Sequence, residues 1–242
     1  MRVSRLYVDA ALNVGGRIEL DDDAAHYVRS VLRLKQDQAI VVFNGQGGEY
    51  HARFSEVSRK AVRAEIESHV ARDVESPLAI HLGLGISRGD RMDWAVQKAV
   101  ELGVTQLTPL ITERCVIKFN DDKKQQRFDH WHGIIRHAAE QSGRTCLPKL
   151  HPVTSFAEWV DMQTELRVFL DPYANHSLHD VTPENQRLTL LSGPEGGFSD
   201  QEREFARQAG FTAVRMGARI LRTETAVLSA LTAAQTLWGD FR

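Results

Sequence analysis

Two glycine-rich segments hold the residue types and spacing that could do chemistry. The first, Ser192-Gly193-Pro194-Glu195-Gly196-Gly197-Phe198-Ser199, follows the apolar run Leu188-Thr189-Leu190-Leu191. Ser199 and Glu202 then read as an S-x-x-E capping box, which marks a helix start independently of the glycines. A strand that ends in a glycine turn before a helix leaves bare backbone N–H and C=O groups beside a crevice. That is how α/β folds hold nucleotide-like ligands. The turn has no lysine and lacks the G-x-x-x-x-G-K-S/T spacing, so a phosphate-cradling P-loop is excluded. A purely structural βα turn carries the same signature, and this segment alone does not separate the two.

The second segment is Met216-Gly217-Ala218-Arg219-Ile220-Leu221-Arg222-Thr223-Glu224-Thr225-Ala226. It leaves strand-like Ala213-Val214-Arg215-Met216 through glycine and enters a helix, with Thr223 as expected N-cap and Glu224 in the first turn. Together, at this separation, the two segments resemble the cofactor loops of the SPOUT methyltransferases. Within that superfamily the chain is similar to the bacterial 16S ribosomal RNA uracil-N3 methyltransferases. Glu101-Leu102-Gly103, Pro109-Leu110, Glu113-Arg114-Cys115 and Glu140-Gln141-Ser142-Gly143-Arg144 sit where that family has similar stretches.

The resemblance implies methyl transfer from S-adenosylmethionine to N3 of a uracil in 16S ribosomal RNA or the small ribosomal subunit. Cofactor contacts are then expected from Leu170, Asp171, Ser192, Gly193, Glu195, Gly196, Gly197, Met216, Gly217, Ile220, Leu221 and Arg222. Uracil N3 carries a proton at neutral pH, so the site needs a base or a cation that stabilises the imide anion. Arg222 is the candidate cation. Glu195 is the candidate base or orienting group. A ribose 2′-hydroxyl methyltransferase of the same superfamily, and a non-enzymatic RNA-binding assembly factor, are the competing readings.

The elements that must position these loops divide into two regions. Residues 1–72 read as short β segments around one helix, with Gln38–Phe43 running into an Asn44-Gly45 turn. By resemblance this is a PUA-like, RNA-binding barrel. Residues 73–242, entered through a polar stretch closed by Pro77, alternate β and α in the manner of a mostly parallel sheet. The resemblance adds a C-terminal trefoil knot and a homodimer. The last helix, with Ala226, Val227, Leu228, Ala230, Leu231, Ala233, Ala234 and Leu237, is apolar on most of its circumference and predicts burial nearly all round. Gly83-x-Gly85-x-x-Arg88 is not a dinucleotide site, because Arg88 stands where the third glycine is needed.

At 242 residues with net charge −2, the chain lacks overall basicity, so RNA contact has to come from a local patch. His26, Arg29 and Arg33 share one face if their segment is helical, with Val28, Val31 and Leu32 turned inward. Arg2, Arg5, Arg88 and Arg144 are further candidates for the RNA. An ordinary solvated face has the same spacing. Cys115 and Cys146 read as buried thiols. His130, His132 and His137 do not share a face at ligating distance, and no metal is expected. With no apolar run of spanning length, no membrane partner is expected, and the location is cytoplasmic.

Overall fold

The computed structural model describes residues 3–115, 120–163 and 165–241. It divides into two compact units, residues 1–75 with 139–147, and residues 76–138 with 148–242.

The first unit is a five-stranded sheet ordered β1-β3-β4-β5-β2. Its strands are β1 (Arg5–Tyr7), β2 (Arg17–Glu19), β3 (Ala39–Phe43), β4 (Glu49–Val57) and β5 (Val62–Val70). Only β1 and β3 run parallel; the other pairs are antiparallel. Along β5, Val62, Ala64 and Ile66 are buried and alternate with exposed residues, which is the period-two pattern of a half-buried strand. They pack with Ile40, Val42 and Phe54 into one core.

Helix α1 (Asp22–His26) continues as a wider π-helical turn over Tyr27–Leu32 and ends at Arg33 with φ 53°. The wider turn rotates the downstream side chains relative to an ideal helix. Val28 is buried as expected, but Val31 is 60% exposed, which corrects its inward placement.

The second unit carries a seven-stranded, wholly parallel sheet ordered β12-β10-β11-β6-β7-β8, with β9 also paired to β7. In chain order these are β6 (Ala79–Gly85), β7 (Gln106–Ile111), β8 (Lys149–Leu150), β9 (Thr154–Ser155), β10 (Leu166–Leu170), β11 (Arg187–Ser192) and β12 (Thr212–Val214). The helices are α2 (Asp90–Glu101), α3 (Asp121–Ser142), α4 (Phe156–Asp161), α5 (Asp200–Gln208) and α6 (Thr223–Trp238).

Central strands covered on both faces need apolar side chains throughout. Ile80, Leu82 and Leu84 of β6 and Leu188, Leu190 and Leu191 of β11 are accordingly fully buried. Buried Gln235 of α6 accepts from Ser76 Oγ at 2.7 Å and donates to the Leu102 carbonyl at 2.9 Å. This fixes α6 beside the end of α2. None of the described helices is long and apolar enough to cross a membrane.

Candidate functional site

Strands β12, β10 and β11 are neighbours in a parallel sheet, so their chain ends open at one edge. In open α/β sheets ligands bind in the crevice beyond the strands' carboxyl ends. A cavity of about 640 Å³ lies there, walled by Leu170–Tyr173 after β10, Ser192–Phe198 after β11, and residues between Val214 and Ala226 after β12. Every expected cofactor residue except Gly217 lines it, so residues far apart in the chain meet at one site. Gly217 borders a neighbouring cavity of about 320 Å³ with Met216, Leu178 and Leu237.

The first glycine turn is fixed by contacts that only small residues permit. A Cβ on Gly85 of β6 would stand 2.6 Å from Pro194 Cδ and from Pro194 N. Gly197 takes φ 64°, the left-handed region that favours glycine, and its N–H bonds the Pro194 carbonyl at 2.8 Å. The expected capping box is present: Glu202 N–H donates to Ser199 Oγ, and Ser199 N–H to Glu202 Oε2. The other Glu202 oxygen accepts the Glu113 N–H at 2.8 Å. Arg114 donates to the Gly196 carbonyl at 2.9 Å.

Glu195 accepts the Arg88 N–H at 2.9 Å and a guanidinium N–H of Arg91 at 3.2 Å. Burial pushes its carboxyl up, but these donors outweigh burial and hold it below the usual carboxylate range. Such an anion is a weak base. The two bonds tie Glu195 to the chain leaving β6, which is the geometry of an orienting group.

Asp171 is buried, accepts the Tyr173 N–H at 3.0 Å, and pairs with Arg203 at 3.6 Å and Arg207 at 3.5 Å. Arg203 also lies over the Tyr173 ring at 5.4 Å, which steadies an aromatic side chain that is 71% exposed at the cavity rim. Arg222 is exposed, lines the cavity, and enters none of the ion pairs among the described residues. Helix α6 begins one residue earlier than expected: Arg222, not Thr223, is its N-cap, without a side-chain capping bond. Arg91, Tyr173 and Arg203 were not singled out from sequence, because long-range packing brings them to the cavity and no local motif contains them; Arg114 belongs to the Glu113-Arg114-Cys115 stretch named above, but was given no site role.

The basic candidates for RNA are dispersed. His26 and Arg33 are exposed in the first unit, and Arg29 donates to the Ser58 carbonyl at 3.0 Å. Arg33 lies beyond the helical turns, so it does not continue the face of His26 and Arg29. Arg88 is exposed in the second unit. Arg5 and Arg144 are internal: Arg5 pairs with Glu49, and Arg144 with Glu75 at 2.5 Å. Their side chains are 8% and 6% accessible, which corrects their assignment as RNA contacts. Arg2 lies outside the described residues. Exposed His130 bonds Asp93 at 2.8 Å. Among the described residues no three His, Cys, Asp or Glu side chains gather to hold a metal ion.

Comparison with known proteins decides what this arrangement belongs to. An RNA methyltransferase domain family matches residues 74–235, and an RNA methyltransferase PUA domain family matches residues 20–67. Ribosomal RNA small subunit methyltransferase E of Buchnera aphidicola (subspecies Schizaphis graminum) is 33% identical over 99% of this chain and 98% of its own length. The chain belongs to the ribosomal RNA small subunit methyltransferase E family.

The Neisseria gonorrhoeae member of that family, solved bound to S-adenosylmethionine, is 38% identical with TM-score 0.93 over 100% of both chains. A Legionella pneumophila methyltransferase structure with bound S-adenosylmethionine is also 38% identical, with TM-score 0.96 over 100% of both chains. The family's methyl donor fits the cavity described above. Its volume lies in the usual ligand-pocket range of roughly 300–1,000 Å³. Leu170, Ile220 and Leu221 offer apolar wall, and the glycine turns offer backbone donors and acceptors of the kind an adenine edge requires.

Proposed function

We propose that this protein methylates N3 of a uridine in 16S ribosomal RNA, in the cytoplasm, using S-adenosylmethionine. The observation that carries the reading is the single cavity that collects both glycine turns at the ends of β10, β11 and β12. It is supported by family membership across nearly the whole chain.

When bound, S-adenosylmethionine supplies an electrophilic methyl carbon on a sulfonium that leaves as a neutral thioether, so no metal or covalent nucleophile is required. The chain's own part is placement and charge. The three loops hold the cofactor; aligned positioning of reactants is worth about 7–11 kcal/mol. Glu195 locks the first loop to the backbone after β6. Arg222 faces the developing imide anion or a uracil oxygen, a role supported by its exposure on the cavity wall and by its guanidinium entering no ion pair among the described residues.

In this reading residues 1–72 dock RNA, using His26, Arg29 and Arg33, and residues 73–242 carry the chemistry and the trefoil knot. The active form is a homodimer. Mass spectrometry of 16S ribosomal RNA from cells with and without the protein tests the function. Loss of one 3-methyluridine, restored by the purified protein and S-adenosylmethionine, is expected. An unchanged content of that nucleoside, or a lost 2′-O-methyl group instead, overturns the proposal.

A further inference from the structure

Methyl transfer to N3 has to dispose of the N3 proton, and three carboxylates line the cavity: Asp171, Glu195 and Glu224. Asp171 is buried against Arg203 and Arg207 and receives the Tyr173 N–H. Glu195 receives the Arg88 N–H and the Arg91 guanidinium. The oxygens of both groups are thus already engaged by cations and N–H donors.

Glu224 differs. Among the described residues its Oε2 is shielded from solvent without a hydrogen-bond partner, and the side chain forms no ion pair, not even with Arg222 two positions earlier. A buried acceptor without a donor is unfavourable for the folded chain, and a catalytic role is one reason such a group is retained. Glu224 also stands in the first turn of α6, at the helix end whose partial positive charge favours an anion forming nearby. Arg222 and Glu224 thus bring a cation and a proton acceptor to one helix start on the cavity wall.

We propose that Glu224 is the catalytic proton acceptor, an inference that rests on the N3 reading given above. The carboxylate takes the N3 proton while the N–H bonding pair stays on nitrogen. N3 then bonds the methyl carbon, whose bond to sulfur breaks with its electron pair kept by sulfur. The resulting carboxylic acid afterwards gives its proton to water.

The test compares Glu224→Gln with wild type on ribosomal RNA containing uridine or 5-fluorouridine, whose N3–H is more acidic. Single-turnover methylation, cofactor affinity by calorimetry and thermal melting are measured together. Glu224→Gln should melt as wild type and bind the cofactor unchanged, while turnover falls roughly 10²–10⁴-fold. 5-Fluorouridine RNA should close much of that gap, because a more acidic N3 depends less on the base. An undiminished rate, a loss matched by weaker cofactor binding, or no recovery on 5-fluorouridine RNA overturns the proposal. Should Glu224→Gln fail to fold, Glu224→Ala assayed with added formate decides: recovery supports the role and its absence refutes it. Wild-type protein that methylates an atom other than N3 overturns the functional reading first, and this role with it.

Discussion

The Glu195 carboxylate accepts the backbone N–H of Arg88 at 2.9 Å, tying the glycine turn after β11 to the chain leaving β6. The two segments are more than a hundred residues apart, yet β6 and β11 are adjacent strands in register from Ala79 opposite Arg187 to Leu84 opposite Ser192. Strand pairing delivers the turn, and the bond fixes its tip. The Gly85–Pro194 approach lies in the same seam.

Substituting Gly85 tests that seam. An added methyl would meet Pro194 N and Cδ at 2.6 Å and Gly193 C at 2.9 Å, and backbone cannot yield as a flexible side chain does. Gly85→Ala is therefore expected to push the turn out of place and weaken cofactor binding by tenfold or more, on the order of 1–3 kcal/mol of strain. Gly197→Ala should act differently. Its Cβ would meet nothing within 4 Å, so only the left-handed φ of 64° opposes it, at roughly 1–2 kcal/mol. Calorimetric titration of S-adenosylmethionine into both variants checks the order. Equal effects would show that conformation, not contact, governs the turn.

Arg222→Ala separates binding from chemistry. If the guanidinium acts on the developing anion, cofactor affinity should stay close to wild type while turnover falls on the order of 10²–10³-fold. Matched losses in both quantities would mean that Arg222 only braces its loop.

Much of the cavity lining was legible because its residues lie in contiguous motifs: the turn Gly193-Pro194-Glu195-Gly196-Gly197 and the Leu221-Arg222-Thr223-Glu224 stretch both line it, and the Ser199–Glu202 box forms as expected, although α6 starts one residue early. The strand pattern was legible too, since parallel strands covered on both faces must be apolar. What failed were properties set by tertiary partners. Arg5 and Arg144 look like free cations in sequence, and nothing local shows that Glu49 and Glu75 will bury them. Val31 fits the inner face of an ideal helix, but a π-helical turn changes the angular step. Tyr173, Arg203 and Arg91 carry no motif, because the sheet order alone places them on the cavity. The short strands Lys149–Leu150 and Thr154–Ser155 are too brief to show a period.

The last helix bears on oligomeric state. Val227, Ala230, Leu231, Ala234 and Gln235 are buried in the single chain, whereas Ala226, Leu228, Ala233, Leu237 and Trp238 remain only half-covered. Burial nearly all round thus needs a further surface, and a second copy is the expected one. Sedimentation should give about twice the 27.2 kDa chain mass. Leu237→Glu should shift the protein towards that single-chain mass. A monomeric wild type that still methylates RNA would count against the dimer.

Acid stability should depend on His81. Its Nε2 lies 3.4 Å from Trp159 Nε1, an N–H that can only donate, and 2.8 Å from Thr108 Oγ1, so this nitrogen serves as acceptor in a neutral ring. Burial, reinforced by the His151 ring stacked at 5.2 Å, lowers its pKa from 6.5 to about 4. Between those values the unfolded chain binds the proton and the folded chain does not, so stability rises with pH across that window. The contribution is complete above about pH 6.5 and is lost progressively as pH falls towards 4. At pH 5 the loss from this group amounts to about 2 kcal/mol. His81→Gln keeps an acceptor oxygen but cannot titrate. Urea unfolding at pH 7.5 and pH 5 should therefore show a smaller acid-induced loss in the variant than in wild type, by about that amount. Parallel pH dependence in the two proteins would assign the acid sensitivity to other groups.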